Sequence, residues 1–169
     1  MSLGIALAEE LSYEMANTYA VLERILDDKL DWKPHVKSMT MRELAGHLVL
    51  FPGWAIGTLE TESFDISPPG GAPLRPPVLN SREEILQMFN RDSVKAYAAL
   101  RGASDAHLQK VWTLLRGGKT VFSLPRIDVL RRMVLNHMIH HRAQLGVYLR
   151  LNDLPVPALY GPSADEGKF

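Results

Sequence analysis

Two histidines spaced one helical turn apart, His137 and His141, sit in an apolar stretch that runs from about Pro125 to Leu151. At about 100° per residue, with Leu130 set to zero, Ile127, Leu130, Met133, Val134, Leu145 and Tyr148 fall within about 60° of one direction. His137 and His141 fall at about −20° and +20°, in the middle of that stripe, and His140 at about −80°, on its edge. Imidazoles at i and i+4 on one face can both reach a single ion. The competing account is a pair of core histidines, each satisfied by a hydrogen bond. Two adjacent rings with neither an acceptor nor a metal are costly to desolvate, which favours the ion.

Two ligands alone make a weak site, so a third must come from another helix. His47 is the best candidate. It lies about two turns into a second helical stretch, beside Leu44, Leu48, Phe51 and Trp54, on the flank of that helix's apolar stripe. His35 and His107 lie in polar, loop-like contexts and are expected to be solvated, His35 as a rim residue. Three imidazoles with an open position suit Zn, Ni, Fe or Mn. Water normally completes such a shell and becomes the reactive group. No catalytic acid or base stands out. Glu43 precedes His47 by one turn, but a capping box accounts for it. Arg142 could meet a substrate carboxylate, although it is expected with Arg131, Arg132 and Arg150 on the solvated or dimer-facing side of its helix.

The elements that must hold these residues are helical. The first is expected from about Leu3 to Leu26, with Leu7, Leu11, Met15, Leu22 and Leu26 on one buried face. In the loop that follows, Leu30 and Trp32 are expected to tuck back onto the core. Thr40-Met41-Arg42-Glu43 is a capping box that opens the second helix. Its apolar positions, Leu44, Leu48, Phe51, Ala55 and Leu59, continue past Pro52, where a kink or break is expected. Ser67 to Pro77 is loop by composition, and such an excursion crosses the end of a bundle or forms part of a site mouth. Ser81-Arg82-Glu83-Glu84 is a second capping box, opening a helix that runs to about Arg101. A short hairpin follows, turning at Gly117-Gly118, and must pack on the helices. The last helix begins near Pro125 and ends near Leu151, before Asn152 and Pro155. The fold class is therefore all-α, a single domain over residues 1–169 built as a four-helix bundle, with a short β-hairpin before the last helix.

Bulk properties remove several functions. The 169 residues are 46% hydrophobic and 22% charged, as in ordinary globular domains. Nineteen basic residues balance nineteen acidic ones, so nucleic acid is not expected as a partner. Zero net charge leaves homo-oligomer formation unopposed. The absence of cysteine excludes disulfides and thiolate ligands. With no basic region opening the chain and no spanning apolar run, a cytoplasmic location off the membrane is expected.

Two blocks of sequence carry a resemblance. One is Asn136-His137-Met138-Ile139-His140-His141-Arg142-Ala143-Gln144-Leu145, followed by Leu154-Pro155-Val156-Pro157 and Tyr160-Gly161-Pro162-Ser163. The other is Asp31-Trp32-Lys33-Pro34-His35, followed by Glu43-Leu44-Ala45-Gly46-His47. Together they resemble the signatures of the DinB-like family, bacterial damage-inducible proteins, over nearly the whole chain. The resemblance implies an up-down-down-up four-helix bundle, frequently dimeric. It also implies one divalent metal on His47, His137 and His141. Related members include transferases and isomerases that use mycothiol or bacillithiol, with the metal activating the thiol as a thiolate. The reading is thus a metal-dependent enzyme moving a small thiol, as cosubstrate, onto a small-molecule electrophile. A hydrolase and a non-enzymatic metal- or small-molecule-binding bundle are the alternatives. The family name invites a DNA-repair role, against which the neutral charge argues.

Overall fold

The computed structural model describes residues 2–167, and they are mostly helical with one small three-stranded sheet. Helix α1 (Leu3–Leu22) is capped by the Ser2 hydroxyl and buries Leu7, Leu11, Met15 and Leu22. It stops earlier than its periodicity suggests. The Arg24 and Ile25 amides turn back to the Val21 and Leu22 carbonyls, which leaves Leu26 exposed. Leu30 is buried as expected, and Trp32 packs edge-on against Tyr148 at 5.5 Å.

The second helical stretch is two helices, α2 (Met41–Leu48) and α3 (Leu50–Glu60), broken at Val49 rather than at Pro52. Pro52 sits in the first turn of α3, where a missing N–H costs nothing. The apolar stripe survives the break, and Leu44, Leu48, Phe51, Ala55 and Leu59 are all buried. At the start of α2 the capping box is complete: the Glu43 amide donates to Thr40 Oγ1 at 3.1 Å, and Glu43 Oε2 accepts from the Thr40 amide at 2.8 Å.

Strand β1 (Ser63–Asp65) follows α3 and was not expected from sequence. The segment from 67 to 77 starts beside the turn at Gly117, whose amide donates to the Ser67 carbonyl at 3.0 Å, and reaches α2 at Pro76 and Pro77. A side chain at Gly46 would come within 2.9 Å of the Pro77 carbonyl oxygen, so glycine there permits the close approach. Helix α4 (Arg82–Gly102) has only half of the expected capping box. Ser81 Oγ accepts from the Glu84 amide, but Glu84 reaches one residue further back, to the Asn80 amide.

A short helix α5 (Asp105–Leu108) leads to the hairpin of β2 (Val111–Arg116) and β3 (Lys119–Pro125). Gly117 and Gly118 have φ of 61° and 73°, the left-handed pair that a tight hairpin turn requires. The sheet order is β1-β2-β3, with β1 parallel to β2. The Asp65 carboxylate locks β1 to the turn by accepting from the Gly117 and Gly118 amides at 3.0 and 2.7 Å.

The last helical stretch is α6 (Arg126–Val129), a π-helical segment (Leu130–Leu135) and α7 (Asn136–Leu151). Helix α1 packs on α4 and α7, α3 on α4 and the π segment, and α2 on α7. Among the described residues no helix is long and apolar enough to cross a membrane.

Candidate metal centre

His47 leaves the last turn of α2, while His137 and His141 leave the first turns of α7, immediately after the π segment. Because α2 packs on α7, the three rings converge: one ligand nitrogen from each lies within 4.8 Å of the other two. The ring centroids are 4.5 Å apart for His47 and His141, 4.7 Å for His137 and His141, and 5.2 Å for His47 and His137. Phe51 and Trp54 of α3 set the pose of His47 edge-on, at 5.1 and 5.6 Å. The break at Val49 thus lets two short helices place a ligand and its aromatic braces around one point.

The nitrogens of this cluster are oriented by their outer partners. His141 Nδ1 donates to Gln144 Oε1 at 2.8 Å, and the Gln144 amide nitrogen donates to His140 Nε2 at 3.1 Å. That leaves the Nε2 of His141 with its lone pair free. His137 Nδ1 is buried without a hydrogen-bond partner. With Nδ1 unpartnered, His137 Nε2 is the nitrogen through which this ring meets the cluster. These two Nε2 atoms are only 2.9 Å apart. At that distance one neutral ring can donate its N–H to the other, and the same two nitrogens can instead both face a cation.

Charging the cluster with an added proton is disfavoured. Burial, then the neighbouring His141 and His137, lowers the pKa of His47 to about 4. Burial chiefly, then His141, also lowers that of His137. His141 is lowered by burial as well, against the raising effect of Gln144. Nitrogens sharing one ion lie about 3.0–3.4 Å apart, depending on the coordination angle; the His137–His141 pair is near that at 2.9 Å, and the nitrogen of His47 lies within 4.8 Å of both.

The same shifts predict an acid sensitivity of the metal-free protein. Each folded-state pKa lies below the unfolded value of about 6.5, so the unfolded chain takes up protons first as pH falls. Stability is then fully present above about pH 6.5 and lost as pH falls towards 4. For His47 the full shift would be worth ~3 kcal/mol, and solvent at the ring edge reduces this to ~1–2 kcal/mol. Chelator-treated protein should show a lower urea midpoint at pH 5 than at pH 7.5, and His47→Gln should flatten the difference. Equal midpoints at the two pH values would contradict the assigned ring environments.

Of the remaining site candidates, His140 and His35 are exposed. His107 is not solvated as expected: it is half-buried, with Nε2 2.8 Å from the Leu59 carbonyl. Arg142 is the main correction. It is buried, 2% exposed, and far from the solvated face. Its Nη1 lies 2.7 Å from Glu14 Oε2, and it also donates to the Glu14 carbonyl, to Thr18 and to the Tyr160 hydroxyl. It therefore holds the fold and does not await a substrate carboxylate. Gln144 is the residue that sequence reasoning missed, although its spacing of three from His141 was a usable signal.

Beside the rings, a cavity of about 290 Å³ opens between α3, the sheet and the π segment, and His137 forms part of its wall. A model described as the DinB family matches residues 1–168. Two crystal structures share the fold. A DinB-like protein from Bacillus cereus ATCC 10987 has 23% identity and a TM-score of 0.68, over 91% of this chain and 95% of that one. A DinB-like protein from Bacillus subtilis has 20% identity and a TM-score of 0.66, over 89% and 96%. No curated protein matches the sequence.

Proposed function

The chain belongs to the DinB family, and from that membership and the converging imidazoles we propose that it is a metal-dependent enzyme that transfers a small thiol to a small electrophile. His47, His137 and His141 hold one divalent transition ion, Zn, Ni, Fe or Mn. The observation that carries this reading is the convergence of three imidazoles from two helices, with one ligand nitrogen of each within 4.8 Å of the other two. When bound, such an ion supplies a positive charge undiminished by its neutral ligands, which lowers the pKa of a thiol or water beside it. The chain's own residues do the rest. Gln144 fixes the tautomer of His141, Phe51 and Trp54 fix the pose of His47, and the cavity beside His137 has room for the electrophile.

Hydrolysis is the weaker alternative, because it needs a general base beside the ion. The Glu43 carboxylate is committed to the Thr40 amide, and the candidate metal-binding group contains no carboxylate. The same reading takes the helices as an up-down-down-up four-helix bundle that works as a homodimer in the cytoplasm.

The test is turnover of an activated aryl halide with and without bacillithiol, mycothiol or glutathione. In the expected reaction, one thiol proton and one halide ion are released for each thioether formed. Metal-loaded protein should show turnover only with thiol, and chelator-treated protein should show none until metal is restored. Thiol-independent ester cleavage would move the reading to hydrolysis, and inactivity with every thiol and electrophile would move it to a binding protein.

A further inference from the structure

The cavity beside His137 has a wall whose chemistry restricts what can enter. Trp54, Phe64, Trp112, Phe122 and Met133 line it, and none of its lining residues carries a carboxylate, an ammonium or a guanidinium group. Its two hydroxyl donors are already used: Thr58 Oγ1 donates to the Trp54 carbonyl at 2.8 Å, and Thr61 Oγ1 to the Gly57 carbonyl at 2.8 Å. The Trp112 N–H is taken in turn by Thr61 Oγ1 at 3.2 Å. The imidazole of His137 and the indole N–H of Trp54 are the remaining polar groups among its lining residues.

The space itself comes from two glycines. Gly53 and Gly57 stand one turn apart on the cavity side of α3, and a Cβ on either would meet nothing within 4 Å. Glycine inside a helix sacrifices stability relative to alanine, so its use twice on one face keeps a volume open at a structural cost. The outer wall is the sheet, held in register by Asp65 on the hairpin turn. The volume is close to the lower end of small-molecule sites, room for a one- or two-ring compound.

We propose that this cavity binds the substrate, an uncharged aromatic molecule of one or two rings, with its reactive end against His137. The proposal rests on the enzyme reading for the word substrate, but the binding selectivity stands on the wall alone. An anion would shed its hydration with no positively charged side chain in the wall to replace it. A cation gains from the aromatic faces but has no counter-charge in the wall, and a metal on the rings would repel it. A neutral aromatic molecule loses little hydration and covers the apolar surface.

The test is isothermal titration of naphthalene into the protein as purified and after chelator treatment. Micromolar binding to both preparations is expected, since the wall does not depend on the metal. In the chelator-treated protein, 2-naphthoate and 2-naphthylmethylammonium should each bind at least tenfold more weakly. Gly57→Leu should weaken naphthalene binding at least tenfold while leaving the circular dichroism and the metal content unchanged, because leucine favours the helix and position 57 holds no ligand nitrogen. Failure of naphthalene to bind, equal binding by the Gly57→Leu protein, or tighter binding of either charged analogue would each overturn the proposal. Loss of the metal reading alone would leave naphthalene binding intact, so the two failures are distinguishable.

Discussion

Protein purified without a histidine tag is expected to carry close to one transition ion per chain, and His137→Ala close to none. Removing His137 takes away one of three converging nitrogens and leaves two rings on different helices, which is a weak chelate. The bundle should stay folded, because the core around the site is aliphatic and aromatic, with Leu44, Leu48, Phe51, Val134 and Leu145 all buried. Gln144→Leu should keep the three ligands but lower metal affinity by about 10–100-fold, since the hydrogen bond that fixes a ligand's tautomer is lost. His140→Ala should change metal content little, because its ring is exposed and contributes no nitrogen to the converging cluster. Elemental analysis of the wild type beside these three variants, followed by competition with a chelator, reads all of this. Wild-type protein that stays metal-free after reconstitution would reduce the three rings to polar core, and equal metal content in His137→Ala would mean that the wrong ring had been chosen.

What sequence could show here was whatever is encoded within one helical turn or one tight turn. The i, i+4 spacing of His137 and His141, the Thr40 capping box and the Gly117-Gly118 turn are all local, and each is found where expected. What it could not show depends on partners far along the chain. Arg142 lies at about 120° on the helical wheel, outside the apolar stripe, and reads as a surface charge. Its burial is decided by Glu14, 128 residues earlier for the backbone contact, and by Tyr160, 18 residues later. Strand β1 is three residues long and carries no usable alternation, since it exists by virtue of pairing with β2. The π segment is also silent in sequence: Leu130 to Leu135 has ordinary helical periodicity, and its wider turns appear only in the hydrogen bonding, such as the Asn136 amide to the Arg131 carbonyl. Such segments often adjoin functional sites, and this one ends immediately before the turn that carries His137.

Arg142→Ala is expected to destabilise the fold by ~3–5 kcal/mol, because it would leave the Glu14 carboxylate buried without its counter-charge. Both side chains lie out of water, at 2% and 9% exposure, with 2.7 Å between charged atoms. Tyr160 closes the arrangement by donating to Glu14 Oε2 at 2.6 Å and accepting from Arg142. Burial, then the bond to Glu14, pushes the phenol pKa up, so it remains a donor throughout the physiological range. The three residues thereby tie α1, α7 and the chain beyond α7 together, with Glu14 and Arg142 buried and Tyr160 covering them from the surface. Glu14→Leu alone should cost a similar amount, by stranding the guanidinium. The double replacement Glu14→Leu with Arg142→Met should cost less than either single change, since no charge is then left unpaired. Tyr160→Phe should cost ~1–2 kcal/mol, the loss of one hydrogen bond to a charged group. Urea unfolding of the four variants checks the order. A double variant less stable than both singles would mean that the pair contributes through packing rather than through mutual neutralisation. The outcome also bears on the metal centre, because Arg142 follows His141 directly in α7. If the pair fixes the rotation of that helix, the double variant, though folded, should bind metal more weakly than wild type. If α2 packing fixes it instead, metal affinity should be unchanged.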